Sequence, residues 1–425
     1  MTFTLALLPV GLLLLGAPIF VVFLAGAVAT LVFVLPIPPI VLQQVMFGSL
    51  SSYALLAVPF FILAGELIQR SGIADRLIVF VQSLIGHVPG SLGLTVLGTG
   101  TVLGAVSGSS PATVAAVGKS LYGGLLGAGY SRRNAAGLIA SSASIAIVIP
   151  PSIAMILYGA AAEESVQKLF IAGILPGLFI ALLMGVAVVW HARRSGGDRA
   201  GGRFSAAAAL TATVRAAGAL LMPVLVLGGV FLGWFSPTEA GGFACAYAIV
   251  VGSLVYRTLG WRQILEASVE AAALTAQVLI IVAAAGLFSY ILTTQQVPQL
   301  ITAFVSDLGL TPVGFLIAVN ILLLVVGCLL DPTSAILVLT PLLIPIVRAL
   351  GIDPIHFGVI MTVNLSIGMF TPPFGLNVFV AQSLFKLPLQ EIYAGVLPYA
   401  AVQIVALAVI TYWPALSLAL TGLVS

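Results

Sequence analysis

Charge is what this chain has least of. Only 6% of its 425 residues are Asp, Glu, Lys or Arg, against about a quarter in an ordinary soluble domain. So few charges cannot cover a soluble surface of this size, which excludes a water-exposed globular enzyme. Cysteine is nearly missing too. Cys245 and Cys328 sit far apart inside apolar segments, with no metal-ligand spacing and no basis for a disulfide. His87, His191 and His356 stand singly, again without the spacing a metal needs. A phosphate-cradling GxxxxGK[ST] loop is lacking, so an ATP-driven pump is not expected, and no nucleophile elbow offers Ser-His-Asp chemistry. The N-terminus has neither a basic n-region nor a small-residue cleavage site, so its first apolar stretch is read as retained. The net charge of +3 rides on loop arginines, which is a topology signal and not a nucleic-acid one.

What the chain has in plenty is hydrophobic length. Hydrophobic residues make up 61%, and apolar runs long enough to cross a bilayer as helices recur throughout. The fold class is therefore an all-α polytopic membrane protein embedded in lipid.

A duplication runs through it. Pro150-Pro151 in SIAIVIPPSI recurs 222 residues on as Pro372-Pro373 in SIGMFTPPFG, and Ser144 falls on Ser366. Ala172–Pro176 (AGILP) recurs at the same spacing as Ala394–Pro398 (AGVLP), Gly129 pairs with Gly351, and Pro111 pairs with Pro332 at 221. Four prolines sharing one offset to within a residue mark true copies. Duplicated broken segments in a membrane chain point to a secondary transporter and its binding site. The division is 1–192 for the first half, 193–215 for a cytoplasmic linker and 216–425 for the second half.

Arginines set the threading. The loop HARRSGGDRAGGRF, 191–204, is cytoplasmic by the positive-inside rule. Working outward, 3–34 is one crossing that starts in the cytoplasm, 52–69 ends inside at Arg70 and Arg76, and 134–160 starts inside at Arg132 and Arg133. The last helix runs outward, so the N-terminus is cytoplasmic and the C-terminus periplasmic. Arg348 is the one arginine left outside. In this scheme Pro176 and Pro398 lie on helices of opposite direction, which makes the two repeats inverted. The parity holds only if 90–130 and 312–350 are re-entrant hairpins, each followed by a discontinuous helix (134–160 and 355–381). Their arms, about 15–18 residues, are marginal for a full crossing.

Each hairpin tip is polar. The first carries Ser107, Ser109, Ser110 and Thr113, the second Asp331, Thr333 and Ser334. Opposite them, each Pro-Pro pair opens its helix. Hydroxyls, a carboxylate and freed carbonyls suit a hard cation of modest charge. Sodium site one is expected at Ser107, Ser109, Thr113, Ser144 and carbonyls near Pro150. Site two is expected at Asp331, Thr333, Ser334, Asn364, Thr371 and carbonyls near Gly368. Substrate is placed between the tips, by Ser109, Ser110, Thr333 and Ser334. Asp331 weighs most, because a carboxylate in the membrane costs about 2.5–3.5 kcal/mol on insertion scales unless it is paired. Elsewhere, Glu66 is read as a salt bridge to Arg70, Lys119 as snorkelling, and Glu239 as a helix cap.

The stretches 58–73, 107–118, 129–159, 236–242, 329–346 and 364–380 resemble the large membrane subunit of the tripartite ATP-independent periplasmic (TRAP) transporters. The resemblance implies an elevator mechanism and sodium-coupled import of a carboxylate-bearing organic acid across the bacterial inner membrane. It also implies two partners, a periplasmic substrate-binding protein and a small four-helix membrane subunit, here expected as a separate chain. Two other readings are a stand-alone sodium/dicarboxylate-type symporter, with similar hairpins but no partners, and an intramembrane enzyme. The latter is disfavoured by the lack of a paired acid/base or metal constellation.

The threading is checkable by single-cysteine labelling. Reporters at Ser195 and Ser425 are expected on opposite membrane faces, and same-side labelling would sink the inverted-repeat scheme.

Overall fold

Backbone in hydrocarbon must bond to itself, which leaves helices as the way for such a chain to cross. The computed structural model describes residues 3–35, 37–38, 40–195 and 204–423, and among them all regular structure is helical. Among the described residues, eight helices are long and apolar enough to span a bilayer.

The chain begins with a surprise. A π-turn, Phe3–Leu7, runs into α1 (Leu8–Leu14), and the chain then reverses so that α2 (Ile19–Phe33) lies back along it. Thr30 Oγ1 donates to Thr4 Oγ1 at 2.9 Å. Gly26 lies so close to Pro9 that an added Cβ would come within 2.9 Å of its ring. The single crossing expected over 3–34 is therefore corrected to a helical hairpin. Its reversal sits at Gly16-Ala17-Pro18, where Gly16 adopts φ +76° and proline cannot continue a helix.

Next come α3 (Ile40–Leu50), α4 (Ala57–Arg70) and α5 (Ile73–Ile85). The α6 (Ser91–Ser107) and α7 (Ser110–Gly127) helices pack together as a hairpin. They lead to α8 (Arg132–Ala143), α9 (Ile153–Ala162) and the long α10 (Val166–Ser195), which keeps Pro176 inside it. The linker expected over 193–215 is mostly helical where it is described, and 196–203 lies outside the described residues. Then follow α11 (Ala206–Phe231), α12 (Pro237–Val250), α13 (Trp261–Thr294) and α14 (Val297–Asp307). The start of α12 is fixed by a capping box in which Ser236 and Glu239 satisfy each other's backbone N–H.

The second copy repeats the order: α15 (Pro312–Leu329), α16 (Pro332–Ala349), α17 (Pro354–Gly368), α18 (Leu376–Phe385) and α19 (Leu389–Tyr412), closed by the short α20 (Ala415–Leu418). Here the arms α15 and α16 diverge; α15 packs on α17, and α16 lies against α9, α13 and α14. At 18 residues each, these two arms also meet the length for a crossing.

Contacts between the copies are reciprocal. The α7 helix packs on α18 while its counterpart α16 packs on α9, and α8 packs on α19 while α17 packs on α10. A twofold relation produces this kind of exchange. The bases match as well. Asn134 Nδ2 and His191 Nε2 lie 3.0 Å apart between α8 and α10. His356, 222 residues after Asn134, places Nε2 3.2 Å from the Thr411 carbonyl on α19. The tightest crossing is α8 on α19, where a Cβ on Gly137 or Gly395 would overlap the facing backbone.

One charge expectation changes. Arg70 does not pair with Glu66. It reaches across to α13, meeting Glu266 at 3.2 Å and Glu270 at 2.5 Å, because α13 brings two carboxylates to its guanidinium. Arg348, the exception in the arginine count, holds Glu164 at 3.0 Å and the Ala162 carbonyl at 3.1 Å. Its charge is thereby neutralised at the end of α9. All four tryptophans, Trp190, Trp234, Trp261 and Trp413, are exposed near or just past helix ends, where an interfacial belt puts them.

Close packing at Gly395 predicts that Gly395→Ala costs about 1–3 kcal/mol by overpacking. Gly242, inside α12 with nothing within 4 Å of an added Cβ, predicts a gain of roughly 0.5–1 kcal/mol for Gly242→Ala from helix propensity. Unfolding in mixed micelles should give these opposite signs.

Candidate functional site

The first break follows α8. A 3₁₀ turn at Ser144–Ile147 precedes non-helical backbone through Ser152, with a cis bond between Pro150 and Pro151. Ser152 repairs part of the damage: its hydroxyl donates to the Ile147 carbonyl at 2.5 Å and accepts from the Met155 amide at 3.3 Å, capping α9. The tip of the first hairpin rests on this break. Gly108, at φ +58°, lies where a Cβ would come 2.8 Å from the Pro151 carbonyl oxygen, so both its dihedral and its neighbour require glycine.

Around that tip Ser107 Oγ and Thr113 Oγ1 lie 3.4 Å apart. The Ser109 amide donates to Ser107 Oγ at 3.4 Å, and Thr113 Oγ1 donates to the Ser109 carbonyl at 2.8 Å. Ser107, Ser109 and Thr113 thus form one oxygen cluster, with Ser109 the more accessible. Pro150 is buried in the break. Ser144 is buried but its hydroxyl points elsewhere, to the Ser141 carbonyl at 2.8 Å and to Gln403 Oε1 on α19 at 3.2 Å.

The second break follows Gly368. Thr371 Oγ1 donates to the Ile367 carbonyl at 2.6 Å, Pro372 and Pro373 are joined in cis, and the Asn377 amide reaches back to the Met369 carbonyl at 2.8 Å. Asp331 is the N-cap of α16: its carboxylate accepts from the Ser334 amide at 3.2 Å and from the Ser334 hydroxyl at 2.5 Å. Thr333 is half-buried beside them. Asn364 and Gly368 form a separate group on α17, against α15. Asn364 Nδ2 donates to Asn320 Oδ1 at 2.7 Å, and a Cβ on Gly368 would overlap the Gly327 backbone.

No hydrogen bond joins the two tips among the described residues. The first tip is tied across the repeats instead. Ser110, fully buried, bonds through its hydroxyl with the side-chain amide of Asn377 on α18 (2.7 and 3.0 Å), and Asn377 also donates to the Ala140 carbonyl at 2.9 Å. Gln403 does the same from α19, donating to the Ser141 carbonyl at 3.0 Å. Neither Asn377 nor Gln403 is among the residues expected from the sequence. Their signal in the sequence is an amide side chain within a mostly apolar helix. Ser142 Oγ and Asn364 Oδ1, 222 residues apart, are both buried without a hydrogen-bond partner. Unpaired buried oxygens are uncommon, and here two stand at equivalent places in the two copies.

A polytopic helical chain, duplicated in sequence, with two broken helices and a polar hairpin tip set against the first of them, has the build of a transport protein that works without ATP hydrolysis of its own. The family model described as tripartite ATP-independent periplasmic transporter, DctM component, matches residues 6–416, and the chain belongs to this family, the TRAP transporter large permeases. It is 42% identical over 375 residues to the C4-dicarboxylate TRAP transporter large permease of Pseudomonas aeruginosa, covering 88% of each chain. It is 38% identical over 423 residues to the ectoine TRAP transporter large permease of Halomonas elongata, covering 97% of each. Among solved structures, the Alcanivorax borkumensis YdaH transporter shares the fold, with a TM-score of 0.59 at 16% identity over 88% of each chain. These relatives are transport permeases, not enzymes. The family's large permease works with a periplasmic binding protein and a small membrane subunit.

The Ser110–Asn377 contact can be isolated by a double-mutant cycle. Ser110→Ala, Asn377→Ala and the double variant should show a coupling of about 0.5–3 kcal/mol in unfolding. Additive losses would mean the hydroxyl and amide do not interact.

Proposed function

We propose that this chain is the sodium-coupled permease of a TRAP system, importing a carboxylate-bearing solute handed over by its periplasmic binding protein. The observation that carries this reading is the seat of the first tip on the first break, Gly108 against the Pro151 carbonyl. Ser107, Ser109 and Thr113 gather there beside backbone freed from the helix, offering oxygen ligands without a basic group. The second site centres on Asp331, Thr333 and Ser334, with Asn364, Gly368 and Thr371 across the break. The unpaired oxygens of Ser142 and Asn364 add one acceptor on the helix leading into each break. Sodium suits the first set better than a proton, since Ser107, Ser109 and Thr113 hold no group that titrates near neutral pH, whereas the Asp331 carboxylate of the second set accepts either ion.

Substrate lies between the tips. Ser109 and Thr333 are the more accessible hydroxyls of the four placed there, while Ser110 and Ser334 are buried and bonded. The relatives' named cargoes, a C4-dicarboxylate and ectoine, both bear carboxylates, so an organic acid is the class proposed here. An elevator movement would carry the tips past α4, where Gly65 leaves room for the Ser107 carbonyl (3.1 Å from an added Cβ). The hairpin of α1 and α2 puts residue 3 on the same face as the end of α2. With the rest of the threading unchanged, that face is the periplasmic one.

Asp331→Asn keeps the shape and removes the charge. In proteoliposomes with the small subunit and binding protein, half-maximal uptake should need on the order of tenfold more sodium, a loss of about 1.4 kcal/mol. An unaltered sodium dependence would remove Asp331 from the ligand set.

A further inference from the structure

Away from the breaks, α5 and α11 enclose an open cleft of about 690 Å³, lined at its polar end by Asp75, Arg76, Arg215 and Tyr256. Its walls are apolar, and Val79, Val214 and Val255 are more than half exposed on the flank of the helix bundle. The Arg76 guanidinium lies 3.7 Å over the Tyr256 ring, and one nitrogen donates to the Gly72 carbonyl at 2.9 Å. Stacking fixes the plane of the fork and leaves its remaining N–H groups for another acceptor. The Tyr256 hydroxyl also donates to the Arg215 carbonyl at 3.3 Å, which holds the second arginine's helix to the same ring.

Among the described residues neither Arg76 nor Arg215 forms an ion pair, whereas nearby Arg70 and Arg262 do. Asp75, the one carboxylate in the lining, accepts from Ser120 on α7 at 3.2 Å. Two guanidiniums and one carboxylate leave the cleft singly positive. Its polar end meets an apolar groove that runs along the membrane-facing wall, and a phosphate carrying acyl chains matches both parts.

We propose that this cleft binds an anionic phospholipid. The phosphate sits at Arg76 and Arg215, and an acyl chain lies along Val79, Val214 and Val255. The net charge selects a singly negative headgroup over a zwitterionic one of the same size. The site is independent of the sodium and substrate sites, so its test does not depend on transport.

Native mass spectrometry of the detergent-purified chain, titrated with dioleoylphosphatidylglycerol or dioleoylphosphatidylcholine, reads the binding directly. The glycerol lipid should bind severalfold more tightly. Arg76→Gln with Arg215→Gln should weaken it on the order of tenfold, with monodispersity on gel filtration reporting an intact fold. The double lysine variant, which keeps the charge but not the stacked fork, should bind between the wild type and the double glutamine variant; Asp75→Asn should tighten binding, and Arg193→Gln, on a different face, should leave it unchanged. Equal binding of the two lipids, or unchanged binding in the double glutamine variant, overturns the proposal. It also fails if those variants instead abolish capture of the small membrane subunit while lipid binding stays as it was; the cleft is then a protein interface.

Discussion

Backbone that leaves the helix at membrane depth has to be satisfied by protein, and the two Pro-Pro breaks impose that demand twice. Much of the molecule answers it. At the first break Ser152 returns a bond to the Ile147 carbonyl and caps the next helix, while the Gly108 tip closes over the Pro151 carbonyl. At the second, the Thr371 hydroxyl and the Asn377 amide bond back to carbonyls before the prolines. Carbonyls loosened this way, with hydroxyls beside them, are also the material of a cation site. On the proposed reading, the structural need and the transport chemistry fall on the same few residues.

The copies solve the demand differently. Hairpin one is closed, its arms in contact and its tip on the break. Hairpin two is splayed, with α16 turned toward α9, α13 and α14. The N-cap positions differ too: Ser109 at the first tip makes no side-chain cap bond, while the Asp331 carboxylate caps the second. A negative cap favours the helix N-terminus electrostatically and at the same time makes the second tip the more attractive to a cation and the less attractive to a carboxylate. On the same proposed reading, unequal repeats of this kind give a near-symmetric frame two unlike sites.

Much of this was legible in the sequence because proline, glycine and arginine act locally. The Pro-Pro offset located both breaks, the serine-rich and DPTS clusters located both tips, and Ser236-Pro-Thr-Glu239 announced its capping box. What escaped depends on partners distant in the chain. The reversal at Gly16-Ala17-Pro18 was hidden inside an apolar run long enough to look like one crossing. Its register is set by Thr4 meeting Thr30. Glu66 and Arg70 have helix-pair spacing, yet α13 supplies stronger partners for Arg70. Ser144 lies beside the break in sequence and faces Gln403 in space. Asn377 shows in the sequence as an amide in a mostly apolar helix, but only the fold gives it Ser110 as partner.

That last contact has a consequence for how the molecule is made. Ser110 and Asn377 are separated by 267 residues. At a synthesis rate of about 5–20 residues per second, roughly 13–50 s pass between their emergence from the ribosome. Through that interval the first hairpin is in the bilayer, or at the translocon, with a buried-type hydroxyl and the Ala140 carbonyl still waiting for their amide. Insertion cannot be finished repeat by repeat. The first half must be held in an unsealed form until the last fifth of the chain arrives to complete it.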